Sequence, residues 1–236
     1  MGAVSIYTVR MNLLLLGAGK TGTLVAEVAR ERHHAVTIFR AADNPAASAL
    51  TADALHDIDA AIDFTTPHAV LDNISACLSA GKPLVVGTTG WYERIPAVQA
   101  LVEKTTTGFL FGANFSIGMN LFFDIARAGA AALAHGYAGQ ISERHHVHKK
   151  DAPSGTAIAI QNAIWEVNGR ELEITSFREG DVVGMHEVVL DSPHDTIYLC
   201  HEAKSRRGFA EGAVRAAEWI ADKKGFYDFK DVWREV

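Results

Sequence analysis

Cysteine is scarce in this chain: Cys77 and Cys200 are the only two in 236 residues. Two cysteines do not build a disulfide framework, and neither stands in a Cys-x-x-Cys pair of the zinc-binding kind. A reducing, cytoplasmic setting fits. Positive charge is also short. With 22 Lys and Arg against 28 Asp and Glu, the formal net charge is −6 and the pI is about 6.0. That argues against nucleic acid as a partner, because neutralising phosphates takes a basic surface. No stretch reaches the roughly 18 consecutive apolar residues that span a bilayer, so no membrane partner is expected. Residues 1–10 hold one arginine and no long apolar core, which makes a poor signal peptide. With Met11 directly before the first strand, they read as a dispensable N-terminal extension; the alternative is an additional ordered strand. Repeats, low-complexity tracts and linkers are missing too.

What is present is ordinary for a globular protein, 48% hydrophobic and 21% charged. The length allows one large or two modest domains. Apolar runs at 12–16, 35–39, 60–64, 83–86 and 108–111 read as strands, with helical spacing at 23–31, 68–80 and 96–104 between them. Such alternation means a parallel sheet covered on both faces. The pattern changes after Asn114. A long Ala-rich helix at 121–134, a strand at 139–146 and a helix at 155–167 precede strands at 174–177, 185–190 and 196–201. Their local connections predict a mixed or antiparallel sheet. A last amphipathic helix covers 209–224.

Gly17, Ala18, Gly19, Lys20, Thr21 and Gly22 form a Gly-x-Gly-x-x-Gly turn between the first strand and the first helix. The first glycine allows the tight turn, the second lets a pyrophosphate approach the backbone, and the third permits close helix–strand packing. The helix that follows offers free N–H groups and a positive dipole end. The spacing and context point to a dinucleotide; the alternative is a purely structural turn. Arg40 stands where a ribose-binding carboxylate is usual, after the second strand. An arginine there can pair with a 2′-phosphate, which gives a weak preference for NADPH over NADH. Arg40 as a solvated strand-end residue is the other reading. Phe64, then Gly87, Thr88 and Thr89, then Ala113, Asn114 and Phe115 follow three strands at the same sheet edge, where open α/β sheets bind ligands.

Residues 143–156 concentrate three histidines, two lysines and a Pro-Ser-Gly-Thr turn. On an extended strand His146 and His148 would share one face and His145 the other. Two histidines without a carboxylate or cysteine on that face are an incomplete zinc set, so no metal is expected. A solvated polar strand is a second reading. The third is an anion site: histidine titrates near neutrality, lysine donates a compact charge, and Ser154, Gly155 and Thr156 open a helix whose N–H groups receive a carboxylate. That combination suits a small dicarboxylate substrate. His186 and His201 read as structural histidines, and Asp151 as a turn former.

The run Glu143-x-His145-His146-x-x-Lys149-x-Asp151-Ala-Pro-Ser-Gly-Thr156 resembles the signature of the dihydrodipicolinate reductase family. The resemblance extends from Met11 over nearly the whole chain. It includes Asp63-Phe64-Thr65, Gly87-Thr88-Thr89-Gly90, Ala113-Asn114-Phe115-Ser116, Arg178-x-Gly180, Gly184-x-His186 and His201-x-Ala203-x-x-Arg206. It implies an α/β fold, with a Rossmann-like parallel-sheet cofactor domain at 11–116 and 208–236. An α+β substrate and oligomerisation domain with a mixed sheet would occupy 117–207. The implied activity is the NADPH- or NADH-dependent reduction of 4-hydroxy-tetrahydrodipicolinate to tetrahydrodipicolinate, in the diaminopimelate route of lysine biosynthesis. By the same resemblance His145 is a proton donor and acceptor, Lys149 a proton donor, and His146, Gly155 and Thr156 substrate contacts. A homotetramer built on the second domain's sheet is implied. Residues 39–60 are short for the family. The rival readings, another two-domain dehydrogenase or a non-catalytic NAD(P) sensor, leave the His-His-x-x-Lys and Ser-Gly-Thr combination unexplained.

Overall fold

Leu13 to Leu16 are buried on both faces of β1 (Asn12–Leu16), as a central parallel strand demands. The computed structural model that shows this describes residues 9–236; most of the expected N-terminal extension therefore lies outside the described residues. Beside β1 run β2 (Ala35–Phe39), β3 (Ala60–Asp63), β4 (Leu84–Val86) and β5 (Gly108–Phe111). A further strand, β10 (Gly225–Asp228), completes a six-stranded parallel sheet in the order β10-β5-β4-β3-β1-β2. The connecting helices are α1 (Lys20–Glu31), α2 (Ala52–Leu55), α3 (Val70–Ser79) and α4 (Ile95–Thr105). Leu14, Leu16, Val70, Ile74, Leu78, Leu84, Val86 and Phe109 share one core. The order reverses at β1, which has β2 on one side and β3 on the other. A switch of this kind opens a crevice at the carboxyl ends of the two strands.

The chain divides into two compact units. The described residues up to Ser116 join Phe209–Val236 in one, and Ile117–Gly208 form the other. The second unit has α5 (Ile117–Gly129), β6 (Ala138–His145), α6 (Gly155–Asn168), β7 (Glu173–Arg178), β8 (Gly184–Asp191) and β9 (Thr196–Ala203). Its sheet runs β7-β6-β8-β9, with β6–β7 parallel and the other pairs antiparallel. Met119, Phe122, Ile141, Ile160, Ile164, Val188 and Leu190 pack between helices and sheet. The chain then returns to the first unit through α7 (Arg207–Ile220), β10 and α8 (Phe229–Val232).

Three expectations needed correction. The last helix stops at Ile220 instead of 224, and the next residues build β10, a four-residue half-buried strand with no alternation to reveal it. The helix expected at 121–134 begins at Ile117, and its last part, Ala130–His135, tightens into a 3-10 turn. Together these 19 residues are long and apolar enough to cross a membrane, contrary to the expectation that no stretch is. Met119, Phe122, Ala126, Ala130 and Leu133 nevertheless pack into the unit's own core, and Arg127 pairs with Asp124 mid-helix. Those are the marks of a core helix.

Candidate functional site

In the first unit, Gly17 sits at φ +93°, and a Cβ there would come within 2.3 Å of the Phe64 carbonyl oxygen. A Cβ at Gly22 would lie 2.3 Å from the Gly17 carbonyl oxygen, so this glycine brings α1 against the strand end. Gly19 differs: nothing stands within 4 Å of its would-be Cβ. Open space over the second glycine, no side-chain cap and no acidic residue in the first turn of α1 fit a pyrophosphate. Gly19, Lys20, Thr21 and Gly22 line a cleft of about 280 Å³ together with Phe64, Gly87, Thr88 and Thr89. The sequence-predicted residues after β1, β3 and β4 thus share one crevice. Arg40 is exposed at the end of β2, and its backbone N–H donates to Asp43 Oδ2. The Phe115 ring is buried and packs against Phe64 and Phe229. Ala113 is exposed and Asn114 half-buried.

Beneath the cleft lies Asp63, which sequence reasoning passed over as a functional position. It accepts from the Thr65 N–H and hydroxyl at 3.0 and 2.8 Å, from the Thr88 hydroxyl at 2.6 Å, and from Asn73 Nδ2 at 2.8 Å. This buried carboxylate ties the loops after β3 and β4 to α3. The Thr88 hydroxyl is committed to Asp63 and to the Thr65 N–H, so its remaining surface faces the cleft.

In the second unit, period-two alternation carries the core face of each strand into a polar row. Ile141, Ile174, Val188 and Leu199 lie across the sheet in register. Two residues along, the same faces present Ser176, Glu143, His186 and His201. His145 follows on β6, paired with Arg178. The strand ends there. Residues 146–149 form a turn closed by the Lys149 N–H on the His146 carbonyl, so the expected strand faces of His146 and His148 do not exist.

Glu143 is 1% exposed. Its Oε1 accepts from the Ser154 N–H at 3.0 Å, Ser176 Oγ at 2.7 Å and Arg178 Nη2 at 3.2 Å. Its Oε2 lies 3.3 Å from His145 Nδ1 and 3.7 Å from His186 Nε2. Burial pushes this carboxyl up, but the bonds from Ser154, Ser176 and Arg178 outweigh it and hold the group below its ordinary range. Burial lowers His145, against the raising effect of Glu143 and with the help of Lys149 and Arg178. Burial and the neighbouring His145 push His186 down to about 4. His186 is therefore more than the satisfied structural histidine expected: its Nδ1 has no hydrogen-bond partner among the described residues. Glu143, His145 and His186 bring three ligand-capable atoms within 4.8 Å of one another. We read the trio as a proton network, because the Arg178 guanidinium already neutralises the carboxylate and would face any added cation.

Lys149 Nζ donates to both oxygens of Asp151 at 2.8 Å, which gives Asp151 a charge-pairing part beyond its turn. Arg178 holds this loop by its carbonyls, bonding those of Lys149 and Asp151. His146 Nε2 is 3.4 Å from Arg206 Nη2. Ser154 is 2% exposed, its hydroxyl caps the Ala157 N–H and meets His186 Nε2, and its own N–H serves Glu143. It shapes the helix end. The Ile158 N–H is bound by the Ser154 carbonyl, which leaves the N–H groups of exposed Gly155 and half-buried Thr156 as the open donors of the first turn.

Sequence reasoning thus missed Asp63, Ser176 and Arg178 as functional positions, and assigned Glu143 no task. Glu143 had a readable signal: two residues before His145 on one strand, it must share that residue's face. Ser176 and Arg178 come from another strand, and only the register brings them in.

A glycine turn at the switch point of a parallel sheet, with a buried carboxylate–histidine cluster beside an open helix start, defines a dinucleotide-dependent oxidoreductase of small anions. The chain belongs to the dihydrodipicolinate reductase family: residues 11–115 match the family's N-terminal model and residues 118–233 its C-terminal model. It is 38% identical over 242 residues to the 4-hydroxy-tetrahydrodipicolinate reductase of Christiangramia forsetii, covering 96% of this chain and 99% of that one. The enzyme of the same name from Natronomonas pharaonis is 35% identical over 247 residues, covering 94% and 99%. The fold is shared with a dipicolinate-bound dihydrodipicolinate reductase from Paenisporosarcina sp. TG-14, at a TM-score of 0.77 and 22% identity over 94% of this chain and 99% of that one.

Proposed function

We propose that the protein reduces 4-hydroxy-tetrahydrodipicolinate to tetrahydrodipicolinate with NAD(P)H, in the diaminopimelate route of lysine biosynthesis. The observation that carries this reading is the cluster at residues 143–156, where a buried carboxylate, a proton-exchanging histidine, a lysine and an open helix start stand together. The first unit takes the cofactor in its Gly17–Gly22 crevice. Bound NAD(P)H supplies the hydride. The substrate gains that hydride and a proton, and its 4-hydroxyl leaves as water.

The residues of the second unit do the rest. The N–H groups of Gly155 and Thr156 receive a substrate carboxylate, and His146 approaches from the neighbouring loop. Each hydrogen bond to such a charged group contributes about 1.5–3 kcal/mol. Lys149 exchanges Asp151 for the second carboxylate or donates a proton. Burial makes His145 harder to protonate than a free imidazole. A dicarboxylate arriving beside it favours the imidazolium, so substrate binding itself loads the proton. Arg40 favours NADPH through its 2′-phosphate. The second unit's sheet has an outer face with exposed Phe177 and Tyr198, which supports a homotetramer assembled there. The enzyme is cytoplasmic in this reading.

A steady-state assay coupled to dihydrodipicolinate synthase, following the loss of NADPH absorbance, tests the activity. His145→Ala should lower kcat by about 10²–10⁴-fold with a modest change in KM. Lys149→Ala should raise KM and lower kcat. Wild-type kinetics in both variants would overturn the assignment.

A further inference from the structure

Glu143 has two oxygens with different surroundings. Three bonds, from β7 twice and from the helix start, immobilise Oε1 and with it the carboxyl plane. Among the described residues neither Oε2 nor His145 Nδ1 has a hydrogen-bond partner, and the two face each other at 3.3 Å. The His145 ring is confined from the other side by β8, where a Cβ on Gly184 would stand 3.1 Å from Nε2. A ring held this way has Nδ1 buried toward a negative oxygen. That favours the tautomer with the proton on Nδ1 and leaves Nε2 to exchange protons with a ligand.

We propose that Glu143 is a positioning residue of the reduction: it holds His145 in that tautomer and aim, and through Ser154 it locks the same geometry to the anion-receiving start of α6. The proposal rests on the reading of His145 as proton donor. One carboxylate would then tie the proton donor to the carboxylate cradle, so that neither moves without the other. The charged and titratable groups facing His145 are Glu143 on its own strand, Arg178 on β7, His186 on β8, and Lys149 and Asp151 in the loop beyond. Of these, Glu143 and Asp151 favour the imidazolium, while Lys149 and Arg178 oppose it. Removing the Glu143 charge while keeping its shape therefore makes His145 harder to protonate.

The test is the pH profile of kcat in Glu143→Gln, with Glu143→Asp and His145→Gln alongside. In Glu143→Gln, kcat should fall on the order of 10- to 100-fold with substrate KM within about threefold of wild type. The alkaline limb of the profile should move to lower pH, and Glu143→Asp should recover part of kcat and return the limb toward wild type. A folded Glu143→Gln with near wild-type kcat and an unmoved limb overturns the proposal and leaves the proton-donor reading standing. Undiminished kcat in His145→Gln overturns that reading and the proposal with it. Should Glu143→Gln not fold, the imidazole nitrogen chemical shifts of His145 in the wild-type protein decide: a proton on Nδ1 supports the proposal, and a proton on Nε2 overturns it.

Discussion

Asp63 and Glu143 are both buried carboxylates on sheet strands, and their surroundings set them to different tasks. Asp63 ends a central parallel strand and is saturated by neutral donors: two from Thr65, one from Thr88 and one from Asn73. Asn73 passes the network on to Asn44, whose Oδ1 accepts the Ala49 N–H. Every partner is a hydroxyl or an amide, so the cluster holds loop shape. Glu143 is saturated on one oxygen only, and the other looks at two imidazoles. A carboxylate closed on both sides is a staple. One left open on a single side can orient and charge what it faces. In the proposed reading the cofactor crevice is built on the first kind and the proton site on the second, which is what phosphate docking and proton transfer respectively require.

The largest effect expected from this contrast is on stability. Asp63→Ala strands the Thr88 hydroxyl as a donor and Asn73 Nδ2 in a dry interior, while the Thr65 N–H keeps Thr88 Oγ1. At about 1–3 kcal/mol for each unsatisfied group, the loss should reach roughly 3–5 kcal/mol, read as a lower urea midpoint at unchanged slope. Any residual activity should show a raised cofactor KM and a pH profile of wild-type shape. An unshifted urea midpoint would break the comparison on the Asp63 side.

The pH dependence of stability offers the next contrast. His186 is buried and held down to about 4, well below an unfolded histidine at about 6.5. Between those values the unfolded chain binds a proton that the folded one refuses, so stability falls as pH drops from about 6.5 toward 4. The integrated loss is up to about 3 kcal/mol. His186→Gln should flatten this acid slope in urea titrations across the window, while Asp63→Asn leaves it in place. An identical slope in wild type and His186→Gln would show that His186 is not the group that titrates in this window.

Much of the parallel sheet was legible because a buried central strand needs an unbroken apolar run. Strands β1, β2 and β5 were read to the residue. β10 was not, because four half-buried residues after a helix carry no period. The glycine turn was legible because its spacing is local; the clash avoided at Gly22 lies within the turn, whereas the one avoided at Gly17 is with Phe64 after β3, which only the fold brings there. The histidine segment was legible in content but not in arrangement. The strand was read to His146, and extending its alternation onward put His146 and His148 on one face, whereas the strand ends at His145 and the histidine beside it is His186, from β8. Arg178 and Ser176 come from β7. Cross-strand register depends on long-range pairing, which no window of sequence displays. Ser154 shows a subtler limit: its identity correctly marks a helix start, but its bonds to Glu143 and His186 come from two strands that no local pattern brings to it.

Arg40 gives the smallest expected effect and the cleanest separation of the two regions. It stands exposed after β2, and the Asp63 network does not include it. An exposed ion pair with a 2′-phosphate is worth about 0.2–1 kcal/mol, so Arg40→Ala should raise KM for NADPH by roughly two- to fivefold. KM for NADH, the urea midpoint and the pH profile should stay unchanged. Raising the salt concentration should shrink the gap between wild type and variant on NADPH, because exposed charges are screened over about 8–10 Å. Equal NADPH KM in the two proteins would remove the phosphate role and leave cofactor choice to the Asp43 side of the turn. A change that appeared equally with NADH would mean that Arg40 shapes the strand end, and the crevice would then depend on its rim as well as on the carboxylate beneath it.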